Sequence, residues 1–128
     1  LDNVLLIQAF VPGTEYRILA SGSELLLAYE KTSDVVGAID GDLNPLHHSS
    51  GRAVKVEGAD HLSRMAELTR SVAEVIHLGF YAIDVIDAPE GLTILELNPN
   101  PFCYFYNRSN GREDFIRLYE RLIDRFVR

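Results

Sequence analysis

The sequence predicts an α+β fold, an antiparallel sheet with helices packed on one face. Short strand-like runs are joined by tight turns that contain Gly or Pro, and two longer segments carry the apolar 3.6-residue period of amphipathic helices. Strands and helices do not alternate strictly along the chain, as they would around a parallel sheet. The length of 128 residues fits a single domain.

The first half of the chain is predicted to be mostly strand and loop. An apolar run over residues 5–11 reads as a strand, and runs over 15–20 and 24–31 are predicted to form an antiparallel hairpin through a Ser-Gly-Ser turn. Residues 32–52 hold three Gly and one Pro and read as loop, a length typical of binding loops or lids. A short alternating run over residues 53–57 predicts another strand.

The second half contains the two predicted helices. One follows the helical period from Leu62 to Ile76, with Gly79 as its candidate C-terminal cap. Strands are predicted over residues 80–87 and 92–97. The chain closes with a helix that has Asn110 or a neighbour as candidate cap and acidic residues in its first turn.

Composition excludes several classes of function. The net charge of −7 argues against nucleic acid as a partner, because phosphate binding needs a basic surface. No apolar run approaches the roughly 20 residues of a membrane span. The single Cys103 cannot form a disulfide framework and favours a reducing, cytoplasmic compartment. The chain begins at Leu1 rather than Met, which predicts a piece of a longer protein.

The turn before the last predicted strand sets its register. Pro89 fits the first turn position, and Gly91 fits the left-handed position that closes a three-residue loop with a bulge. Such a loop pairs Ala88 with Leu92, and this pairing fixes the register back along both strands.

This register predicts a cluster of oxygen-bearing side chains. It places Asp84 directly opposite Glu96, roughly 5 Å apart at Cβ, with Asn98 two residues along on the same face. Opposed carboxylates repel unless a cation lies between them, and a divalent metal such as Mg²⁺ is one candidate. The alternatives are a neighbouring Lys or Arg, or a register slip that separates the two acids. Four residues are predicted to face the core from the other side: Ile83, Val85, Leu95 and Leu97.

Two motifs resemble the ATP-grasp superfamily. Residues 84–87 (DVID), the twelve-residue step from Asp84 to Glu96, and residues 95–101 (LELNPNP) resemble its C-terminal signature. In that family an Asp, a Glu and an Asn bind two Mg²⁺ ions that bridge the ATP phosphates. Residues 8–17 (QAFVPGTEYR) resemble the family's adenine hinge, and the order of elements over residues 5–101 also fits.

The resemblance implies a nucleotide site that begins at the hinge. Backbone groups of Ala9 and Val11 would contact adenine, with Gln8 beside the purine. Glu15 would accept hydrogen bonds from the ribose, and Lys31 would touch a phosphate. The full implied cofactor-binding set is Gln8, Ala9, Phe10, Val11, Glu15 and Lys31.

The resemblance also implies a metal site and a catalytic residue. The metal ligands would be Asp84, Glu96 and Asn98, holding Mg²⁺ or alternatively Mn²⁺. Arg17 would face the acyl phosphate or the substrate carboxylate, where a rigid bidentate donor suits an oxyanion. Asn44, in the long loop, loosely matches an asparagine of related ligases.

Some residues depart from the family pattern or have simpler interpretations. Ala82 stands where many peptide ligases carry an Arg, and residues 99–102 replace the usual small residue followed by Ser-Pro-Gly. The adjacent histidines at 47 and 48 are expected to be solvated rather than metal ligands. Cys103 has no His partner placed beside it by the sequence, and residues 104–106 are expected to pack under the last helix.

The functional prediction follows from the resemblance. Residues 1–128 are predicted to be the C-terminal subdomain of an ATP- and Mg²⁺-dependent carboxylate–amine (or thiol) ligase that forms an acyl phosphate. The style is that of ribosomal-protein glutamate ligases, lysine-biosynthesis ligases and glutathione synthetase-like enzymes. The expected partners are small-molecule carboxylate and amine substrates and the absent N-terminal and phosphate-grasping subdomains, without which the chain should be inactive. The alternatives are an ATP-grasp kinase, a degenerate non-catalytic ATP-binding module, or a plain α+β binding domain.

Overall fold

Five strands form one antiparallel sheet in the computed structural model, which describes residues 7–34, 42 and 44–127. The spatial order is β3-β2-β1-β4-β5. The strands are β1 (Thr14–Ser21), β2 (Glu24–Thr32), β3 (Arg52–Lys55), β4 (Tyr81–Ala88) and β5 (Gly91–Asn98). The helices are α1 (Ala59–Val75), α2 (Tyr104–Asn110) and α3 (Glu113–Val127), and a short 3₁₀ helix spans Pro45–His47. This architecture confirms the predicted α+β class.

The two faces of the sheet are covered by different helices. Neighbouring residues of a strand point to opposite faces, so Ile18 packs with Met65 of α1, while Leu19 packs with Tyr106 of α2 and Phe115 of α3. The prediction that all helices pack on one face is therefore wrong. The physical reason is that β1 and β4 are central strands with apolar side chains on both faces, and both faces must be removed from water.

The β1–β2 hairpin confirms its prediction. Its register runs from Glu15 opposite Lys31 to Ser21 opposite Glu24. Gly22 in the turn has φ 56°, the left-handed conformation that glycine adopts without a steric penalty. The hairpin is thus closed by the residue type that such a turn requires.

Two helix boundaries differ from the prediction. The helix α1 ends at Val75 rather than near Gly79, because Ile76 turns to an extended conformation after its N–H donates to Val72 O at 2.8 Å. Residues 104–110 form α2, which was not predicted, so Asn110 ends that helix instead of capping α3. Gly111, with φ 82°, terminates α2.

The predicted first strand is also wrong over its described part. Residues 7–11 form no strand, and Ile7 and Phe10 are 83% and 79% exposed. Residues 5 and 6 lie outside the described part. The segment over residues 7–13 leads directly into β1, which is already paired with β2 on one side and β4 on the other.

The long loop is described only in part, since residues 35–41 and 43 lie outside the described ranges. Its last turn is the 3₁₀ helix, whose start is capped by Asn44 Oδ1 accepting from Leu46 N at 3.0 Å. The strand predicted over residues 53–57 is β3, Arg52–Lys55. None of the helices in the described ranges is long and apolar enough to cross a membrane.

Candidate functional site

The β4–β5 turn is shorter than predicted. Ala88 pairs with Gly91 rather than Leu92, and Gly91 has φ 125°. Continued without interruption, this register would place Asp84 opposite Leu95. A slip of one residue turns every side chain to the other face, so the two acids would then be separated.

A β-bulge restores the predicted pairing. Val85 lies opposite Ile94, whereas Asp84 lies opposite Glu96, so Leu95 is the extra residue on β5. Leu95 is 39% exposed, and its predicted place in the core is wrong because the bulge turns it out of the regular alternation. The other three hairpin residues predicted to face the core do so. The opposition of the two acids is confirmed, although by a turn and a bulge that were not predicted.

Five charged residues lie together on one face of the sheet, and we call them the charge cluster. Asp84 is the cross-strand neighbour of Arg17 on one side and of Glu96 on the other. Glu15 and Lys31 form the adjoining cross-strand pair on the same face. The cluster therefore spans β2, β1, β4 and β5, which local sequence cannot bring together.

Asp84 is the centre of the charge cluster. Its Oδ1 and Oδ2 accept from Arg17 Nε and Nη2, both at 2.8 Å, in a bidentate pair. Lys31 Nζ lies 3.3 Å from Asp84 Oδ1 and donates to Glu15 Oε1 at 3.0 Å. The side chains of Lys31 and Asp84 are only 3% and 4% exposed, and that of Arg17 is 14% exposed. The sequence left open a divalent metal or a neighbouring Lys or Arg beside the opposed acids. In the structure, Arg17 and Lys31 lie beside Asp84.

The two opposed acids titrate in opposite directions. Burial alone would raise the pKa of Asp84, but the hydrogen bonds from Arg17 and the charges of Lys31 and Arg17 hold it below its usual range. The pKa of Glu96 is raised by its hydrogen bond to Asp84, by burial, and by the negative charge of Asp84. Of the two acids, Glu96 is therefore the one whose charged form is destabilised by its surroundings.

These shifts predict the stability of the chain in acid, measured without divalent cations. The lowered pKa of Asp84 contributes stability that is present above about pH 4 and is lost as the pH falls through the folded value. The raised pKa of Glu96 acts with the opposite sign, so stability rises as Glu96 becomes protonated. Urea unfolding between pH 7 and 2 should show a slight rise and then a fall below about pH 4. Glu96→Gln should remove the rise and keep the fall, and a rise that persists in this variant would contradict the assignment.

The predicted metal ligands offer only oxygen donors. Asn98 follows Glu96 by two residues on β5, and its Oδ1 already accepts from Asn100 N at 2.9 Å. Among the residues described, no three His, Cys, Asp or Glu side chains converge on a point suited to a metal ion. Carboxylate and amide oxygens are nevertheless the donors that Mg²⁺ and Mn²⁺ prefer. The set fits such an ion because its donors are oxygens and the two acids lie directly opposite each other on β4 and β5.

The predicted adenine hinge lies directly before β1. Gln8, Ala9 and Phe10 are exposed and Val11 is half-buried, so a ligand can reach them. The hinge leads through Pro12 and Gly13 to the strand that carries the charge cluster. Asn44 is instead occupied in capping the 3₁₀ helix, which accounts for it without a ligand.

Sequence reasoning missed Tyr29. It lies opposite Arg17 across β1 and β2, is 1% exposed, and packs on Tyr106 with ring centroids 5.2 Å apart. Burial raises the pKa of Tyr29, so its phenol is neutral beside the guanidinium. The available signal was its position two residues before Lys31, which places both side chains on one face of β2.

The end of the long loop is fixed to α2. Arg108 Nη2 donates to Gly51 O at 2.9 Å and to Leu46 O at 3.3 Å. His47 is exposed, as expected, but His48 is 5% exposed, and within the described part of the chain its two ring nitrogens have no hydrogen-bond partner. The prediction of a solvated His48 is therefore wrong.

The aromatic residues after β5 divide between core and surface. Tyr106 is fully buried and packs on Phe115 of α3 with ring centroids 5.4 Å apart, as expected for a residue under the last helix. Tyr104 is 65% exposed and contradicts that expectation, because it occupies the outer side of α2. Cys103 is a free, half-buried thiol.

Solved structures with the same fold are ATP-grasp ligases. The ATP-grasp ligase PsnB, complexed with a phosphomimetic variant of minimal precursor, Mg and ADP, superposes with a TM-score of 0.59 at 18% identity, covering 88% of this chain and 35% of that chain. D-alanine–D-alanine ligase from Bacillus anthracis, complexed with ATP, gives a TM-score of 0.57 at 13% identity, covering 92% of this chain and 38% of that chain. No family model and no curated protein matches the chain.

The likeness confirms the fold expected from the two motifs. Because the identities are below 20%, the likeness shows the fold alone. This chain spans a little over a third of the length of these ligases. The chain thus has the fold of the C-terminal portion of the ATP-grasp ligases.

Proposed function

We propose that this chain is the C-terminal subdomain of an ATP- and Mg²⁺-dependent carboxylate–amine (or thiol) ligase. One observation carries the proposal: Asp84 and Glu96 face each other across β4 and β5, beside a bidentate arginine. Opposed acids with a neighbouring guanidinium suit phosphoryl transfer, in which a metal and fixed cations neutralise the charge on transferring oxygens. The ATP-grasp fold supports the nucleotide part of the proposal.

Asp84, Glu96 and Asn98 are the residues that would hold the metal. When bound, Mg²⁺ or Mn²⁺ would neutralise charge on the ATP phosphates. Residues 8–11 would receive the adenine, and Glu15 would accept from the ribose. Lys31 donates to Glu15 and contacts Asp84, so it would keep the ribose acceptor and the metal ligand in a fixed relation.

Arg17 would orient the reacting carboxylate. A substrate carboxylate attacks the γ-phosphorus of ATP and releases ADP, and an amine or thiol then displaces phosphate from the acyl phosphate. The planar guanidinium can bind two oxygens at once, which suits both the carboxylate and the oxyanion of the second step. The contribution of the chain is positioning and electrostatics.

The proposal extends to the remainder of the protein. Because the chain spans a little over a third of the matching ligases, we assign the N-terminal and phosphate-grasping subdomains to a longer protein in which this chain occurs. Its partners would be small-molecule carboxylate and amine substrates, and its location the cytoplasm. Neither nucleic acid nor membrane is part of the proposal.

The metal assignment is tested by Glu96→Gln in the full-length protein. Loss of one metal ligand should lower Mg²⁺-dependent ATP turnover by about a hundredfold or more. Glu90→Gln is the matched control, since Glu90 lies exposed in the turn of the same hairpin. Equal turnover in the Glu96→Gln and wild-type proteins would refute the assignment. The products decide the reaction, because a ligase releases phosphate and an amide or thioester, whereas a kinase leaves a stable phosphorylated product.

A non-catalytic ATP-binding module is the second candidate. It is favoured by the neutralisation of Asp84 by Arg17 and Lys31, which stabilises the acid without any metal. Such a module would bind ATP without turning it over, and binding would not depend on Glu96.

A further inference from the structure

We infer that Arg17 is a latch on Asp84, released when a divalent cation takes the carboxylate. This inference rests on the proposed function, because it concerns the residues assigned there to the metal. It assigns Arg17 two successive partners: Asp84 before the metal binds, and an anionic group of the substrate afterwards. Anionic substrate would therefore engage Arg17 only after the metal is in place.

The first support is the occupancy of the carboxylate. A carboxylate offers about four acceptor positions. Asp84 uses two of them for Arg17, and Lys31 Nζ forms an ion pair with its Oδ1 at 3.3 Å. A divalent ion arriving at Asp84 would also meet two positive charges beside the same carboxylate. Cations compete for one acid at such distances, and the repulsion between them favours the departure of one.

Differences in burial identify the cation that leaves. The Lys31 side chain is 3% exposed and is held additionally by Glu15 at 3.0 Å. The Arg17 side chain is 14% exposed. Once a metal takes Asp84, Lys31 still has Glu15 as a partner in its buried position, whereas a guanidinium left there without a partner would carry a large desolvation cost. Lys31 therefore stays with Glu15, and Arg17 moves.

The charge count explains why the latch is stable without metal. Glu15, Arg17, Lys31 and Asp84 form a neutral set of two acids and two bases, and Glu96 adds one exposed negative charge. Without a metal, the four charges of this set therefore neutralise one another. Among the residues described, Glu96 is the acid of the cluster that has no cation within ion-pair distance. An incoming ion would bind Glu96 first. The Asp84 carboxylate would then exchange Arg17 for that ion.

Titration of the full-length protein with Mn²⁺ alone tests the latch. Arg17→Gln removes the competing cation and should tighten Mn²⁺ binding by at least about tenfold. Arg64→Gln is the matched control. Arg64 also forms a bidentate pair, with Asp87, three residues after Asp84, and its loss should leave Mn²⁺ affinity unchanged. Glu96→Gln should abolish binding.

The outcomes separate the latch from the proposed function. An Mn²⁺ affinity in Arg17→Gln equal to or weaker than wild type, with binding still lost in Glu96→Gln, overturns the latch alone. Mn²⁺ binding that is absent, or that is unaffected by Glu96→Gln, overturns both.

A second measurement needs no variant at the site. Phenylglyoxal modification of the wild-type protein, mapped by mass spectrometry, should become several-fold faster at Arg17 when Mn²⁺ is added. The rate at Arg64 should not change. An unchanged rate at Arg17 under saturating Mn²⁺ overturns the latch even if the Arg17→Gln protein fails to fold.

Discussion

Replacing Arg17 by Met is expected to lower the free energy of unfolding by about 3 kcal/mol or more. Breaking a buried pair leaves an uncompensated charge, which typically costs about 3–5 kcal/mol. Asp84 is 3% exposed and would retain only Lys31, which it shares with Glu15. The measurement is urea unfolding of the variant and the wild type at neutral pH and without divalent cations.

Two further variants test whether the loss of stability comes from breaking a buried ion pair. Arg64→Met removes an equivalent bidentate pair at the exposed surface and should change stability little. The double variant Arg17→Met with Asp84→Leu replaces the pair by apolar side chains and should recover most of the loss. A single variant as stable as wild type would show that Asp84 is hydrated or protonated rather than held by Arg17.

Phe115→Ala is expected to destabilise the chain by about 3–5 kcal/mol, the usual cost of removing a buried aromatic ring. Phe115 is 2% exposed and packs between Tyr106 of α2 and Tyr119 of α3, with ring centroids 5.4 and 5.7 Å away. The removed ring would leave a cavity that two helices and the sheet cannot close without moving.

The adjacent residue provides the control for that cavity. Ile116 is 52% exposed, so Ile116→Ala should change stability by no more than about 0.5 kcal/mol. Chemical unfolding of both variants gives the comparison. Similar losses at the two positions would mean that α3 is rotated about its axis relative to the fold described.

The two stability predictions concern one face of the sheet. The apolar part of that face, around Leu19, is covered by α2 and α3, and the charge cluster continues it along the same strands. The packed part fixes the strands, and the strands in turn fix Arg17 against Asp84. A preorganised site requires such support, because its side chains must hold their positions before a ligand arrives.

Local patterns predicted the elements whose signals are local. The β1–β2 hairpin followed from two strand-like runs and a Gly turn, and α3 followed from its apolar period and acidic first turn. The run over residues 7–11 had the same apolar character but formed no strand, since strand formation depends on packing against neighbours and on burial rather than on the residues alone. The short α2 gave too few turns for its period to be recognised.

The candidate site shows the same division more sharply. The sequence alone determined that Glu96 and Asn98 share a face, because side chains alternate along a strand. It also predicted Asp84 opposite Glu96, but from a turn that the structure does not contain. Only the tertiary structure decided that a bulge at Leu95 would restore this pairing, and that Arg17 and Lys31 would neutralise Asp84. It likewise decided that helices cover both faces of the sheet. The ion pairs of Asp84 with Arg17 and Lys31 join residues more than fifty positions apart. They and the helix packing depend on strand order and on the burial of both faces, which no local pattern encodes.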